Sequence, residues 1–394
     1  MAYLMEEQAR GSAHPPGGQA RALGASSETV ASLGIHHELA VPLESAKHVL
    51  WRLRRYRLQS YAREIMSFQM RGPGLEHRVA YCLRAIAPKH QTVQIWKKQD
   101  QARYKGLMVC GSIWVCPVCA ARISDFRRQH LTKAVDDWTR AGGMILMLSQ
   151  TAPHHRNDPL KDLLLKFSKG RVLMHNRKAW RTWVERNGLV GSVRALEVNY
   201  GIMNGWHIHI HELLFFKNGF HPDRFHVHAD LYYQWENACH SVGLEAPTFH
   251  RGINVQDARF AAGYAAKWGI ESEITKSHVK HAKGGNFGPF DMLEEYGQGT
   301  KNFDRLFREY EGAFRGKKQL QWSHDLWKLL HPCGEKEKSD QEVAEKIEDN
   351  AVFLGSLDRK QWARVVAAEK RGELLEVASV RGWNGVLELI GNLF

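Results

Sequence analysis

Hydrophobic and polar residues alternate at the start of the stretch 206–216, from Trp206 to His211. His207, His209 and His211 stand at every second position there, with isoleucines between them. Because a strand sends successive side chains to opposite faces of a sheet, the imidazoles share one face and the aliphatic side chains share the other. The pattern predicts a half-buried strand whose histidines can converge on a cation. A histidine-rich strand without metal fits the same pattern.

A second alternating stretch, residues 192–200, precedes the first and is separated from it by a glycine-bounded turn. The two stretches therefore predict a β-hairpin. If Leu196 and Val198 lie on the core face, Glu197 lies on the other face, opposite His209. Two imidazoles and one carboxylate would then form a three-ligand metal site with open positions for substrate oxygens.

Periodicity and end signals also predict the neighbouring elements. The predicted helices cover 46–70, 120–140, 159–187, 222–242 and 258–268, and the further strands cover 144–149 and 253–256. From residue 144 the first six elements follow the β-α-β-β-α-β order of ferredoxin-like and RRM-like folds. We therefore predict an α+β protein with an antiparallel sheet, followed by one more helix, and with one sheet face available for a site.

Changes in composition predict five parts. The opening segment is rich in Gly, Ala, Ser and Pro and cannot bury much apolar surface, so we expect a disordered tail. The parts are the tail over 1–45, a helical DNA-binding region with a cysteine cluster over 46–142, a catalytic domain over 143–275, a basic loop-rich extension over 276–332 and a C-terminal helical region over 333–394.

Three of the six cysteines, Cys110, Cys116 and Cys119, form a C-x5-C-x2-C cluster. Closely spaced cysteines favour metal over disulfides in a cytosolic chain. A structural zinc ion takes four ligands, so a fourth must come from elsewhere. The candidates are Cys82 first and then His77 and His90. The cluster predicts a zinc site, and a cluster without metal is the alternative.

The chain of 394 residues carries a net charge of +13. A basic surplus suits a polyanion such as nucleic acid, although a solvated basic surface is also possible. Four arginines stand close together among aromatic residues: Arg52, Arg54, Arg55 and Arg57. This mixture fits DNA backbone contact with base stacking, and equally an amphipathic helix packed on a neighbour. No apolar run approaches the roughly 18 residues of a membrane helix, and the polar start does not resemble a secretory signal, so we expect a cytoplasmic protein without a membrane partner.

The last predicted helix of the central region, 258–268, carries Tyr264 and Lys267. Residues three apart are neighbours on a helix face, and an ammonium beside a phenol favours the tyrosinate and can also hold a phosphate. A tyrosine and a lysine in a helix are commonplace by themselves. The interpretation depends on their combination with the histidine strand, Glu197 and the basic charge.

In these features the chain resembles the HUH-type rolling-circle replication initiators of plasmids and some phages, in particular the single-tyrosine group with an N-terminal cysteine cluster. The resemblance runs from about residue 82 to residue 330. Its motifs are Cys110-Gly-Ser-Ile-Trp-Val-Cys116-Pro-Val-Cys119, Leu148-Ser-Gln-Thr-Ala-Pro153, Leu196-Glu197-Val198, Trp206-His207-Ile-His209-Ile-His211, Gly263-Tyr264-Ala-Ala-Lys267-Trp268-Gly269 and Gln321-Trp-Ser323.

The resemblance implies a nicking-closing enzyme. Tyr264, with Lys267 beside it, would attack one phosphodiester of the origin and leave a 5′-phosphotyrosine link and a free 3′-hydroxyl. Glu197, His209 and His211 would hold Mg2+ or Mn2+ against the scissile phosphate. The cysteine cluster would be a structural zinc site, and His207 would flank the metal. The implied partners are single-stranded and supercoiled origin DNA, with the host helicase and polymerase.

One position departs from the group. Many members carry a glutamate four residues before the tyrosine, which activates water at termination, and here that position is Phe260. Asp257, two helical turns before Tyr264, is the candidate substitute. The departure puts the release step in doubt and leaves initial nicking untouched.

Three rival functions fit parts of the pattern. A single-strand transposase or a conjugative relaxase would use the same metal and tyrosine chemistry. A non-catalytic zinc DNA-binding regulator would use only the cysteine cluster and the basic surface, and would leave Glu197 and Tyr264 unexplained. A histidine-metal oxidoreductase would need an enclosed pocket and has no use for the basic charge.

Overall fold

The computed structural model describes residues 43–67, 77–257, 285–346 and 349–393. By its internal contacts the chain divides into two units, residues 1–48 and 49–394. Of the first unit, only the six residues at the start of a helix are described, so the predicted tail lies almost wholly outside the described residues. All described strands and the other described helices belong to the second unit, within which the predicted domain boundaries stay predictions.

The described elements alternate between helices and short strands along the chain. The helices are Leu43–Ser67 (α1), Pro117–Arg140 (α2), Leu160–Asn176 (α3), Lys178–Asn187 (α4), Arg224–Ser241 (α5), Phe249–Gly252 (α6), Pro289–Gly297 (α7), Phe303–Phe314 (α8), His324–Leu330 (α9), Asp340–Glu345 (α10), Arg359–Ala367 (α11) and Arg371–Gly391 (α12). The strands are Val93–Lys98 (β1), Gln101–Lys105 (β2), Met144–Thr151 (β3), Leu189–Gly201 (β4), Gly205–Phe216 (β5), Ile253–Asp257 (β6), Asn286–Phe287 (β7), Leu320–Trp322 (β8) and Val352–Leu357 (β9).

The larger sheet has the strand order β6-β3-β5-β4-β7, and β8 pairs with β4 beside β7. Every pairing in it is antiparallel. The predicted α+β class with an antiparallel sheet is therefore confirmed. Strands β3 to β6, with the helices between them, follow the predicted order of elements; the comparison to ferredoxin-like folds stays a prediction.

The two faces of the larger sheet bury different sets of side chains. Ile208 and Ile210 of β5 point to the face that belongs to the main core, where Phe167 of α3 and Trp235 of α5 also lie. The other face carries a separate apolar cluster in which Leu213 and other strand residues pack with α2. On β5 this cluster extends to Leu213, and on β4 it extends to Ala195, which is paired with His211. The histidines therefore lie at the end of the apolar cluster.

A second, three-stranded sheet has the order β2-β1-β9. It corrects the predictions that 46–142 and 333–394 are helical, because each of these regions supplies strands to it. The short strand β9 pairs with β1, more than 250 residues earlier in the chain. A local sequence pattern carries no information about the distant pairing of β9. Strands β1 and β2 pair with each other across a two-residue turn, and this local hairpin was not predicted.

The region 276–332 also differs from its prediction as a basic loop-rich extension. Among its described residues it contains β7, α7, α8, β8 and α9. Helix α8 buries Phe303, Phe307, Tyr310 and Phe314, which recur at intervals of three or four residues. This spacing is that of one helical face, and the surrounding Gly and Lys residues concealed it.

The remaining predicted elements agree with the structure except in one place. The single helix predicted over 159–187 is two helices, α3 and α4, because Arg177 between them adopts an extended backbone conformation. The helix predicted over 258–268 lies outside the described residues. Among the helices that are described, none combines the length and the apolar character needed to cross a membrane.

Candidate functional site

The hairpin β4–β5 brings a carboxylate and two imidazoles together. Glu197 and His209 are directly paired across the ladder, as predicted. Nε2 of His209 lies 2.8 Å from Oε2 of Glu197, and Nε2 of His211 lies 3.7 Å from the same oxygen. One ligand atom of each residue lies within 4.8 Å of the others. The three side chains thus converge from one face of the sheet.

A serine on the neighbouring strand orients one of these imidazoles. Ser149 of β3 pairs with His211, and its Oγ lies 2.7 Å from His211 Nδ1. With Nδ1 engaged there, Nε2 of the same ring is directed to Glu197, an arrangement typical of a metal-binding histidine. Ser149 was not among the predicted site residues, although its pairing with His211 places it on the same face of the sheet.

The site is half-buried, and burial sets its protonation. Burial lowers the pKa of His211 to about 4; Glu197 opposes this shift and His209 adds to it. The ring is therefore neutral near pH 7, which is the form that binds metal. Among the described residues, Nδ1 of His209 is buried without a hydrogen-bond partner. Two imidazoles and a carboxylate form a donor set that suits a divalent cation.

His207 lies beside this group and outside it. Its ring centroid is 5.3 Å from that of His209 and 4.9 Å from that of His154. Burial, with His209 and His154, lowers the pKa of His207 to about 4. This position beside Glu197, His209 and His211 is consistent with the prediction that His207 flanks the metal. His154, which follows β3, was not singled out from the sequence.

The predicted nucleophile and its neighbours cannot be placed. Tyr264, Lys267 and Phe260 lie outside the described residues. The roles of Tyr264, Lys267 and Phe260 therefore stay predictions from the sequence.

Asp257, the candidate termination base, is described as the last residue of β6. It pairs with Leu146 of β3, which in turn pairs with Leu214 of β5. Because paired residues share a face of the sheet, Asp257 belongs to the face of Leu214, whereas His209 and His211 belong to the other. This placement does not support the predicted role of Asp257.

The cysteine cluster is complete and buried. Its members are Cys82, Cys110, Cys116 and Cys119, with their sulfurs within 4.8 Å of one another. The Sγ–Sγ distances include 3.8 Å, 3.5 Å and 3.6 Å. A tetrahedral zinc ion with bonds of about 2.3 Å has edges of about 3.8 Å. The cluster could hold a metal such as zinc, and the fourth ligand is the sulfur of Cys82 and not a nitrogen of His77 or His90.

Hydrogen bonds to the sulfurs fit thiolate ligands. Gln59 Nε2 donates to Cys116 Sγ at 3.1 Å, and the Cys110 N–H donates to Cys82 Sγ at 3.3 Å. Cys116 caps the start of α2 and accepts from the Cys119 N–H. Burial raises the pKa of Cys116, but hydrogen bonds from the other three thiols outweigh burial and hold it well below its usual value. Such donors orient ligands and stabilise negative charge on sulfur.

The arginines of α1 differ in their surroundings. The four predicted DNA-binding residues are Arg52, Arg54, Arg55 and Arg57. Arg52 pairs with Glu376 at 2.9 Å, and the buried Arg54 pairs with Glu294 at 2.8 Å. Arg57 also contacts Glu294 but is 55% exposed. The ion pairs of Arg52 and Arg54 fit the alternative that this is an amphipathic helix packed on its neighbours. DNA binding by the four arginines stays a prediction.

Two known proteins are similar to this chain. A protein described as "Protein rep" from Streptomyces lividans is 29% identical over 293 residues, which cover 57% of this chain and 64% of that protein. A "Neomycin resistance protein" from Streptomyces cyanogenus is 32% identical over 133 residues, which cover 28% of this chain and 30% of that protein. This chain thus spans less than two thirds of either relative. No family model and no solved structure matches it.

Proposed function

We propose that this protein initiates rolling-circle replication by nicking and rejoining one strand of plasmid origin DNA. The observation that carries the proposal is the convergence of Glu197, His209 and His211 on one sheet face. The similarity to a protein named Rep supports a role in plasmid replication. The net charge of +13 suits a DNA substrate.

In the proposed reaction the Tyr264 oxygen attacks the scissile phosphorus. The new tyrosine O–P bond forms as the P–O3′ bond breaks, so that the 3′ oxygen leaves with the bonding electrons and takes a proton. The 5′-phosphotyrosine conserves the energy of the phosphodiester, and the 3′-hydroxyl can reverse the reaction by attacking the same phosphorus. Lys267 would stabilise negative charge on the phenolate or the phosphate.

The residues of the hairpin would position the phosphate. Mg2+ or Mn2+, when bound by Glu197, His209 and His211, would polarise a phosphoryl oxygen and stabilise developing charge on it. Ser149 would keep the His211 ring in the orientation that presents Nε2. Because Asp257 lies on the other face of the sheet, we assign no residue to the activation of water at termination.

The proposal is tested by incubating the protein with a labelled single-stranded origin oligonucleotide and Mn2+, followed by denaturing electrophoresis. We expect a covalent adduct with the wild type and none with Tyr264→Phe, while that variant still binds the oligonucleotide. Tyr233→Phe, at a tyrosine on α5 that is 59% exposed, is the matched control and should form the adduct. Full adduct formation by Tyr264→Phe would remove Tyr264 from the role.

The metal is tested in the same assay. His209→Ala and the omission of Mn2+ should each reduce adduct formation, and the two together should cause no further loss, because both act on one shared site. Additive losses would contradict a single metal site at this position. Binding without any cleavage in Mn2+ by the wild type would instead favour the non-catalytic zinc regulator.

A further inference from the structure

The three-stranded sheet has one covered face. Helices α11 and α12 pack on it: the Tyr104 ring lies 5.0 Å from that of Trp362, and the Ala102 N–H donates to Ser379 Oγ at 2.9 Å. Alternation and register place a second set of side chains on the opposite, outer face. These outer positions are Gln94, Trp96, Lys98, Gln101, Arg103, Lys105, Phe353 and Ser356.

Two aromatic rings stand side by side on the outer face. Trp96 and Phe353 have centroids 5.4 Å apart, at an interplanar angle of 56°. Phe353 is 48% exposed, and Trp96 is half-buried. The Trp96 indole N–H donates to Gln94 Oε1 at 3.0 Å, which fixes the ring. An aromatic pair that is held in place and still open to solvent is suited to contact a flat apolar partner.

The rest of the outer face is cationic. Lys105 Nζ lies 5.1 Å from the centroid of Trp96, and Arg103 is paired directly opposite Trp96 in the ladder. Lys98 lies on β1, two residues after Trp96. None of the outer positions of this sheet carries an acidic residue. The charge of the face therefore favours an anionic partner over a cationic or neutral one.

We propose that the outer face of the β2-β1-β9 sheet binds single-stranded DNA. Unpaired bases would stack on Trp96 and Phe353, while Lys105, Arg103 and Lys98 would contact the phosphates. Every base presents a π face, so such stacking tolerates any sequence. A duplex keeps its bases stacked on each other and cannot offer them to the rings. This surface is separate in sequence from the catalytic hairpin, and its binding does not depend on the proposed nicking.

The test measures the affinity of the full chain for a labelled oligodeoxythymidylate with Mg2+ and Mn2+ left out, so that no cleavage occurs and the proposed zinc ion is not removed. Loss of one stacking contact should weaken binding about tenfold in Trp96→Ala or in Phe353→Ala. Phe225→Ala, at a phenylalanine on α5 that is 66% exposed, is the matched control and should bind as the wild type does. An affinity within twofold of the wild type in both face variants would overturn the proposal.

The variant Lys105→Ala keeps both aromatic rings, so it tests the proposal even if Trp96→Ala does not fold. Loss of one phosphate contact on a single strand should reduce the slope of log affinity against log salt by about 0.7. An unchanged slope would contradict the assignment of the phosphates to this face.

The proposed nicking site would bind DNA as well, so the position of the bound strand must be determined. Photo-cross-linking locates it. An iodouracil-substituted oligonucleotide should cross-link to the peptides that carry Trp96 or Phe353. Cross-links confined to other peptides would overturn the proposal. Equal weakening of duplex binding in Trp96→Ala would also overturn it, and so would tighter binding to oligouridylate, which would assign the face to RNA.

Discussion

Among single residues, His175 at the end of α3 is held neutral by its surroundings. Its ring stacks on Trp180 at 4.1 Å with an interplanar angle of 8°. Burial lowers the pKa of His175 from 6.5 to about 4; Arg171 adds to the shift and Glu212 opposes it. Among the described residues its Nε2 has no hydrogen-bond partner. The ring thus acts as an aromatic packing element.

This shift makes folding sensitive to acid. Between pH 6.5 and pH 4 the unfolded chain binds the proton at His175 and the folded chain does not, so stability falls as the pH falls through this window. The variant His175→Phe keeps the stacking and removes the titration. We expect its loss of unfolding free energy between pH 7 and pH 5 to be about 2 kcal/mol smaller than that of the wild type. Denaturant unfolding at both pH values measures this, and an equal loss in both proteins would contradict it.

At the scale of elements, the hairpin β4–β5 depends on a glycine. Gly205 opens β5 with a φ of +76°, and a Cβ there would lie 2.6 Å from the carbonyl oxygen of Arg156. Gly219 has a similar φ of +85° but no atom within 4 Å of a Cβ. Comparing the two therefore separates backbone strain from steric clash.

We expect Gly219→Ala to lower the free energy of unfolding by about 1 kcal/mol, because only the left-handed backbone opposes the methyl group. Gly205→Ala should cost about 3 kcal/mol, because the Arg156 backbone must also move. Denaturant titration of both variants measures the difference. Equal losses would show that the close approach of Arg156 does not constrain the hairpin.

The same elements show what a sequence can reveal. The hairpin and the Glu197–His209 pair follow from local alternation and one short turn, so their positions could be predicted. The contact of Ser149 with His211 depends on the register of β3 against β5, which are more than 50 residues apart. The pairing of β9 with β1 is still more distant. Pairings of this kind are decided by packing of the whole fold and leave no local signal.

At the scale of the whole molecule, α1 is joined to elements from the last third of the chain. Arg54 pairs with Glu294 of α7, and Arg52 pairs with Glu376 of α12. The fully buried Arg371 donates to Gln59 Oε1 at 2.7 Å. Removing one partner of such a buried pair leaves an uncompensated charge, so these contacts fix the position of α1 more than they add stability.

The cysteine cluster also joins several separate segments of the described chain. Cys82 follows a short 3-10 helix, Cys110 lies in the loop after β2, and Cys116 and Cys119 lie at the start of α2. Gln59 of α1 donates to the cluster as well. A bound zinc ion would therefore hold several chain segments at one point, and its binding free energy would contribute to folding.

We expect the purified protein to contain an equimolar amount of zinc. Cys119→Ser should lose the metal and lower the free energy of unfolding by about 3 kcal/mol or more, because the binding free energy of the metal no longer contributes to folding. Cys333→Ser, at an exposed cysteine, is the matched control and should change neither quantity. If Cys119→Ser does not fold, a chelator added to the wild type should lower its unfolding midpoint, and added zinc should restore it. Wild-type protein that is free of metal and indifferent to the chelator would show that the four sulfurs form a buried thiol cluster instead.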